Sequence, residues 1–374
     1  MNNSKDSDRH ASDTIQLYPL FCMPLLAHLL PGTLQTSDRA KRALTWFLFT
    51  CVLLYFCHGL FFTVGLTHSM ECLWTLCSLS VYPLYYVYIC HLVSRPNAPL
   101  KLVLILFPGV AVAAAKYLFP EVPLDIARQV LFVFQLFAVV YFGYRKLRRF
   151  DRELANVYAD MEGRDTTAVK HLLIAFLITS LCSGVANALG RHYFAQSDWM
   201  LLAVLTPFSV MLFALSYIGF TRNFSFEQFV EDSHDTAEQP VETAPAMEDS
   251  KVGKCIEQIF VAQQLYLTPN CKIGDVAKAT GICRTYISNY INRTKGMSFS
   301  DYVNRMRIEH AKVLLSASAG ATKISIISQQ SGFSSEQSFY RNFHKFTGMS
   351  PLEWARVSGT GSTKECATES ASEG

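Results

Sequence analysis

Charge is scarce in this chain. Of 374 residues, only 17% are Asp, Glu, Lys or Arg, where soluble domains hold about a quarter. Half are hydrophobic, and the mean hydropathy is +0.19. That combination excludes a disordered chain and argues against a purely soluble enzyme. The 11 cysteines include no CxxC pair, and no His/Cys spacing suits a zinc site. Outside the polar tail there is no phosphate-cradling loop, and no nucleophile elbow or paired-carboxylate motif stands in a plausible context. An enzyme therefore has no catalytic constellation to work with, and neither a metal nor a cofactor is expected. Basic residues are missing altogether from 226–250, which holds eight acidic ones.

What charge there is divides the chain. Residues 1–225 hold 18 basic and 13 acidic residues. Residues 251–357 hold 14 basic and 6 acidic, a net +8. The chain thus reads as an apolar block (1–225), an acidic flexible linker (226–250), a basic block (251–357) and a disordered Ser/Gly/Thr-rich tail (358–374).

A bilayer core demands about 20 apolar residues in helix. Residues 43–66, 72–93, 171–190 and 199–221 contain no Asp, Glu, Lys or Arg. Residues 102–119 carry only Lys116 and residues 126–144 only Arg128, each near an end, where a long side chain can snorkel. A seventh stretch, 14–30, is shorter and holds Pro19 and Pro24. It lacks the basic start and small-residue cleavage site of a signal peptide. The expectation is a polytopic α-helical membrane bundle of six or seven spans.

Loop charges orient such a bundle. Arg39, Lys41 and Arg42 follow the first segment, and Arg95 and Lys101 fall in the third loop. The fifth loop carries Arg145, Lys146, Arg148, Arg149, Arg152, Arg164 and Lys170. The loops between are poor in basic residues, so the odd loops and everything after the last span are expected in the cytoplasm. His28, His58, His91, Gln135 and Asn187 lie in or near spans, where interhelical hydrogen bonding is the plainer role and a ligand site the sharper one. Tyr82, Tyr85 and Tyr86 share a helical face, expected at the membrane interface beside Arg95.

The basic block contains a duplication. Ile273 to Gly281 and Ile324 to Gly332 both read apolar, x, x, apolar, small, three further residues, glycine. That is the buried stripe of a short helix closed by a residue suited to positive φ. Ile287 and Ile291 follow the first copy, and Phe339 and Phe343 the second. Each i, i+4 pair marks a second helix. Two helices joined by a tight glycine turn make a helix-turn-helix, whose second helix enters the major groove. Between the units, Phe299, Tyr302, Val303, Met306, Ala311, Leu314 and Leu315 predict one long connecting helix. The fold class expected for 251–357 is all-α, and it reads as a domain that folds alone.

The stretch Gly332-Phe333-Ser334-Ser335, then Phe339-Tyr340-Arg341-Asn342-Phe343 and Gly348-Met349-Ser350-Pro351, resembles the signature of AraC/XylS-type transcription regulators. Arg284 to Asn292 resembles the first recognition helix of that family, and Arg307-Ile308 with Ala311 its linker helix. The resemblance covers about 100 residues. It implies base contacts from Arg284, Thr285, Ser288 and Asn289 in the first unit, and from Glu336, Gln337, Tyr340 and Arg341 in the second. Such side chains suit base edges: Arg reads guanine, Asn and Gln read adenine, and Glu accepts from cytosine. Cys283 stands where a Ser usually caps the first recognition helix. Gly281, Gly332, Phe333, Phe339, Phe343 and Trp354 read as turn and core.

The reading that follows is a regulator embedded in a bacterial inner membrane with its DNA-binding domain in the cytoplasm. Its expected partners are double-stranded DNA, the lipid bilayer, a signal ligand and a second copy of the chain as a homodimer. The alternative is a membrane receptor or transporter whose basic domain binds a protein or anionic lipid. Paired glycine-terminated helices favour DNA, since lipid binding needs charge alone.

Overall fold

The computed structural model describes residues 38–63, 67–94, 99–189, 198–221, 226–234, 249–318 and 322–357. The described residues are all-α, with no β-strand among them. They form two compact units, one within 1–150 and 166–226, the other within 151–165 and 227–374.

The first unit holds α1 (Arg39–Thr63), α2 (His68–Val93), α3 (Pro99–Leu118), most of α4 (Asp125–Ala155), α5 (Thr167–Leu189) and α6 (Asp198–Thr221). By length and composition, three described helices can cross a membrane: α1 over Arg39–Cys57, α2, and α4. Shorter apolar helical stretches run Val103–Leu118, Thr167–Cys182 and Ser209–Thr221. The segment 14–30 with His28, and the side chains of His58 and Asn187, lie outside the described residues. Gln135 is buried.

Aromatic packing fills this unit. Tyr82 and Tyr85 do not form the expected interfacial belt. Both are buried, with Tyr85 5.1 Å from Phe47 and Tyr82 5.1 Å from Phe176, ring centre to ring centre. The tyrosine run alternates large rings at helical spacing, and three neighbouring helices close over them. Lys116 and Arg128, expected to snorkel, are instead paired. Lys116 Nζ lies 3.0 Å from Asp125 and 3.4 Å from Glu71, and the Arg128 guanidinium sits 4.4 Å over Trp74.

The second unit holds α7 (Phe226–His234), α8 (Asp249–Ala262), a 3-10 turn at Leu265–Leu267, α9 (Ile273–Thr280), α10 (Arg284–Thr294), α11 (Phe299–Ala317), α12 (Ile324–Gln330) and α13 (Glu336–Thr347), with a last helical segment over 351–357. Helix α7 falls where flexible chain was expected. Phe226, Phe229 and Val230 give it an apolar side at i, i+3 and i+4, which the acid-rich composition of 226–250 conceals.

Both copies of the repeat form as expected. Helices α9 and α10 share a core in which Val276, Ile287 and Ile291 are fully buried. Helices α12 and α13 share another around Ile327, Phe339 and Phe343. Helix α11 serves both. Phe299, Tyr302 and Val303 belong to the first core, and Ile308, Ala311 and Leu315 to the second. At about 100° per residue, these two triplets point roughly 150° apart around the helix axis. The two units therefore sit on nearly opposite sides of one stiff connector.

A third side of α11 is polar and also buried. Ser300, Asn304 and Arg307 recur at i, i+4 and i+7, and the segment between α4 and α5 fills that side. Ser300 Oγ and Asn304 Nδ2 donate to the Ala159 carbonyl at 2.7 and 3.0 Å. Arg307 Nη1 meets Asp160 Oδ1 at 3.0 Å, with both side chains essentially sealed from solvent. Arg307 also donates to the carbonyls of Tyr266 at 2.6 Å and Thr268 at 2.9 Å. The same segment lies antiparallel to 271–273: Ala159 N–H donates to Cys271 O and Ile273 N–H to Val157 O, both at 2.9 Å. Asp160 Oδ2 accepts the Asn270 N–H at 2.9 Å. The basic block is thus packed with residues from more than a hundred positions upstream, and the compact unit extends beyond 251–357 to include 151–165.

Two turn glycines differ in what surrounds them. Gly281 and Gly332 both have positive φ, +68° and +82°. A Cβ at Gly281 would meet open space, whereas one at Gly332 would lie 2.5 Å from the Leu267 carbonyl oxygen. Gly281→Ala should cost only backbone strain, about 1–2 kcal/mol. Gly332→Ala adds a clash with main chain and should lower the melting temperature clearly further. Equal shifts in the two variants, read by thermal circular dichroism, would contradict this packing.

Candidate nucleic-acid interface

The two second helices are built alike and capped differently. At α13, Ser335 Oγ accepts the Ser338 N–H at 3.1 Å. At α10, Cys283 occupies the same place and makes no side-chain cap bond. An absent Ser cap costs about 1 kcal/mol, so the first recognition helix starts less firmly.

Each helix turns three side chains away from its core. In α10 the core positions are Ile287, Tyr290 and Ile291, and in α13 they are Phe339, Asn342 and Phe343. At about 100° per residue, the positions opposite are Thr285, Asn289 and Asn292 in one helix and Gln337, Arg341 and His344 in the other. All six are exposed. Both triplets run i, i+4, i+7, so the two helices present equivalent faces.

Four of the eight residues expected to read bases, Thr285, Asn289, Gln337 and Arg341, lie on these faces. Glu336 is exposed at the start of α13, beside its face. Ser288 is half-buried, and Asn292 Nδ2 donates to its carbonyl and hydroxyl at 2.9 and 3.1 Å. Tyr340 is half-buried against the second core, 5.9 Å from Phe339. Arg284 is half-buried, and its Nη1 donates to the backbone carbonyl of Asp232 in α7 at 3.0 Å. Asn292 and His344 complete the two exposed rows and were not among the residues expected to read bases. The signal was present, since each continues its exposed row by one further turn. The exposed ring of Tyr286 beside Thr285 was not among them either.

Two lysines near the recognition helices are engaged within the protein. Lys295 Nζ meets Glu257 at 2.7 Å, and that hydrogen bond raises the lysine's pKa. Lys345 of α13 meets Asp301 of α11 at 2.6 Å. Two cysteines flank the first unit in contrasting settings. Cys271 is buried, and its thiol is pushed up to about 12 by burial first, with Asp275 adding to the effect. Cys283 is exposed at the start of α10. Alkylation at pH 8 should therefore modify Cys283 and spare Cys271, since the thiolate is the reactive form. Peptide mapping showing Cys271 modified in the folded protein would contradict the buried placement.

The geometry defines a class: two helix-turn-helix units on one connecting helix, each showing a polar row opposite its core. The family model described as "Helix-turn-helix domain" matches residues 276–356. Over 108 residues the chain is 30% identical to the uncharacterized HTH-type transcriptional regulator YijO of Escherichia coli (strain K12), covering 29% of this chain and 32% of that protein. Over 106 residues it is 31% identical to the melibiose operon regulatory protein of Escherichia coli (strain K12), covering 27% and 34%. An uncharacterized HTH-type transcriptional regulator of Staphylococcus aureus (strain MSSA476) is 29% identical over 108 residues, covering 29% and 14%. The chain spans about a third or less of the length of these curated relatives. The likeness is to transcription regulators, not to enzymes, and it lies in the C-terminal helix-turn-helix region.

Proposed function

We propose that this chain is a membrane-embedded transcription regulator that binds double-stranded DNA through its two helix-turn-helix units and couples a membrane or extracytoplasmic signal to gene expression. The observation that carries the DNA reading is the pair of equivalent exposed rows, Thr285–Asn289–Asn292 and Gln337–Arg341–His344. They stand on a block of net charge +8. Asn, Gln and Arg offer the donor patterns that base edges accept, and the excess charge supplies phosphate attraction.

Membrane embedding is supported by what the first unit leaves exposed. Ile126, Val130, Phe134, Phe137 and Tyr141 form a continuous outward stripe on α4, with Phe134 70% exposed. On α3, Val103, Leu104 and Phe107 are also exposed. Apolar surface of this extent calls for a partner, and lipid fits helices of this length. The 19 residues from 126 to 144 span about 28 Å, close to a hydrocarbon core. Six spans follow if the three shorter apolar helices also cross, and seven if 14–30 does. The alternation of basic and basic-poor loops supports a cytoplasmic C-terminal unit.

Reporter fusions test this topology. A reporter active only in the cytoplasm should work after Arg152 and Ser250 and fail after Ser69 and Ser197. A periplasmic reporter active at Ser250 would refute regulation of the chromosome. Binding of the purified chain to a duplex should weaken steeply with salt, by a log–log slope of about −0.9 per phosphate neutralised. Binding to anionic vesicles but to no duplex would favour the lipid-binding alternative.

A further inference from the structure

The two helix-turn-helix units share one more feature: a carboxylate from outside 251–357 stands at the start of one helix in each, α13 in the second unit and α9 in the first. At α13, the Ser335 hydroxyl donates to the carboxylate of Glu162, which is exposed and lies in the segment between α4 and α5. In the first unit, beside the start of α9, Asp232 of α7 is the centre of a small network. Its Oδ1 accepts from Lys272 Nζ at 2.8 Å and its Oδ2 from the Tyr158 hydroxyl at 2.6 Å. Its backbone carbonyl accepts from Arg284 Nη1 at 3.0 Å.

The start of a helix and a nearby Arg or Lys are also what a DNA phosphate seeks. These groups cannot serve a carboxylate and a phosphate at once. Asp160 fixes the α4–α5 segment to α11 from a buried position, and Glu162 follows two residues later on the surface. The anchor therefore holds Glu162 at high effective concentration without burying it. Asp232 is similarly held, as its network keeps the carboxyl ionised: burial pushes its pKa up, but bonds from Lys272 and Tyr158 outweigh that and lower it.

We propose, resting on the DNA-binding reading, that Glu162, at Ser335, and Asp232, at Lys272, are built-in competitors of DNA phosphate that hold the two helix-turn-helix units in a low-affinity state. Glu162 lies in the chain between α4 and α5, and Asp232 on the helix that follows α6. A signal acting on those helices raises DNA affinity by withdrawing the two carboxylates, while Asp160 stays in place.

The test uses the full-length chain in detergent micelles and a mixed-sequence 30-base-pair duplex, since phosphate competition is independent of sequence. Glu162→Gln and Asp232→Asn should each tighten binding about twofold to fivefold, the range for a charge at a helix terminus. The double variant should combine the gains. Freeing Lys272 should also steepen the salt slope of Asp232→Asn by about one unit. Glu231→Gln removes the same charge from an exposed neighbour on α7 and should leave affinity unchanged. Unchanged or weaker affinity with a lowered melting temperature would overturn the proposal and leave the two acids a structural role. An equal gain from Glu231→Gln would overturn it in favour of net charge. Absence of duplex binding by the wild type and every variant would instead refute the DNA-binding reading, and the proposal with it.

Discussion

Replacing Asp160 with Ala should unfold the C-terminal unit well below the melting temperature of the wild type. Arg307 is completely buried, and Asp160 is its one ionic partner among the described residues. Removing one member of a buried pair leaves the other charge uncompensated, at a cost of about 3–5 kcal/mol. A domain has about 5–15 kcal/mol in hand, so the loss takes about a fifth of it or more. Because the side chains are 0% and 1% exposed, solvent screening gives no relief. For a domain of this size the shift corresponds to roughly 15 °C or more. Arg307→Ala should be similarly damaging, as it also strips the carbonyls of Tyr266 and Thr268 of their donor. The double variant Asp160→Asn/Arg307→Met should recover much of the loss, since neither charge is then stranded. The same argument predicts that residues 251–357 expressed alone melt far below a version in which 151–165 is joined to them. If Asp160→Ala melts within about 3 °C of the wild type, or the bare fragment matches the joined one, the upstream segment is not part of this core.

That upstream segment marks the boundary of what the sequence reveals. The paired helix-turn-helix units were legible because every cue is local. Gly281 and Gly332 end helices, Ile287/Ile291 and Phe339/Phe343 mark the next ones, and all take those roles. The α4–α5 segment was read only by its arginines, as a cytoplasmic loop, and its function in the core depends on pairing across more than a hundred residues. Tyr158, Ala159 and Asp160 carry no periodic pattern, because an extended piece of three residues has none to show. A trace was nonetheless present on the other side of the contact. Ser300, Asn304 and Arg307 form a polar row at i, i+4, i+7 between the two apolar sides of the helix and apart from its charged side at Asp301, Arg305, Glu309 and Lys312, and a row so flanked implies a polar partner. Helix α7 was missed because a window of 25 residues averaged Phe226, Phe229 and Val230 with eight acids.

The exposed rows were legible to the depth of one helical turn. The resemblance points to the first residues of each recognition helix, so it includes Thr285, Asn289, Gln337 and Arg341 of these rows and stops short of Asn292 and His344. Arg284 was expected at a base, but its guanidinium is engaged by the carbonyl of Asp232. That difference follows from α7, whose fold could not be read from composition.

Arg341→Ala should cost about 1–3 kcal/mol on the specific site, about 5-fold to 150-fold in affinity, and leave the protein's stability unchanged. Arg341 is exposed at the centre of the second row, four residues after Gln337 and three before His344, opposite Phe339 and Phe343. A purely structural role would need an ion pair, and Glu309 and Glu353 are otherwise occupied. Glu309 meets Lys312 at 2.9 Å. Glu353 accepts the Ser350 N–H at 2.8 Å, and that bond lowers its carboxyl pKa. Arg341 makes no ion pair among the described residues. Exposed substitutions of this kind stay within about 0.5 kcal/mol of wild-type stability, so its loss should be seen in binding alone. Selection from a randomised duplex pool should show preference relaxed at a guanine and retained elsewhere. Lys345, on the next turn, provides the contrast. Its Nζ is held by Asp301, so Lys345→Ala should loosen α13 from α11 and leave base preference intact. A preference profile for Arg341→Ala that overlays the wild type, with melting temperature lowered instead, would remove Arg341 from the reading face and shift the second row's specificity to Gln337 and His344.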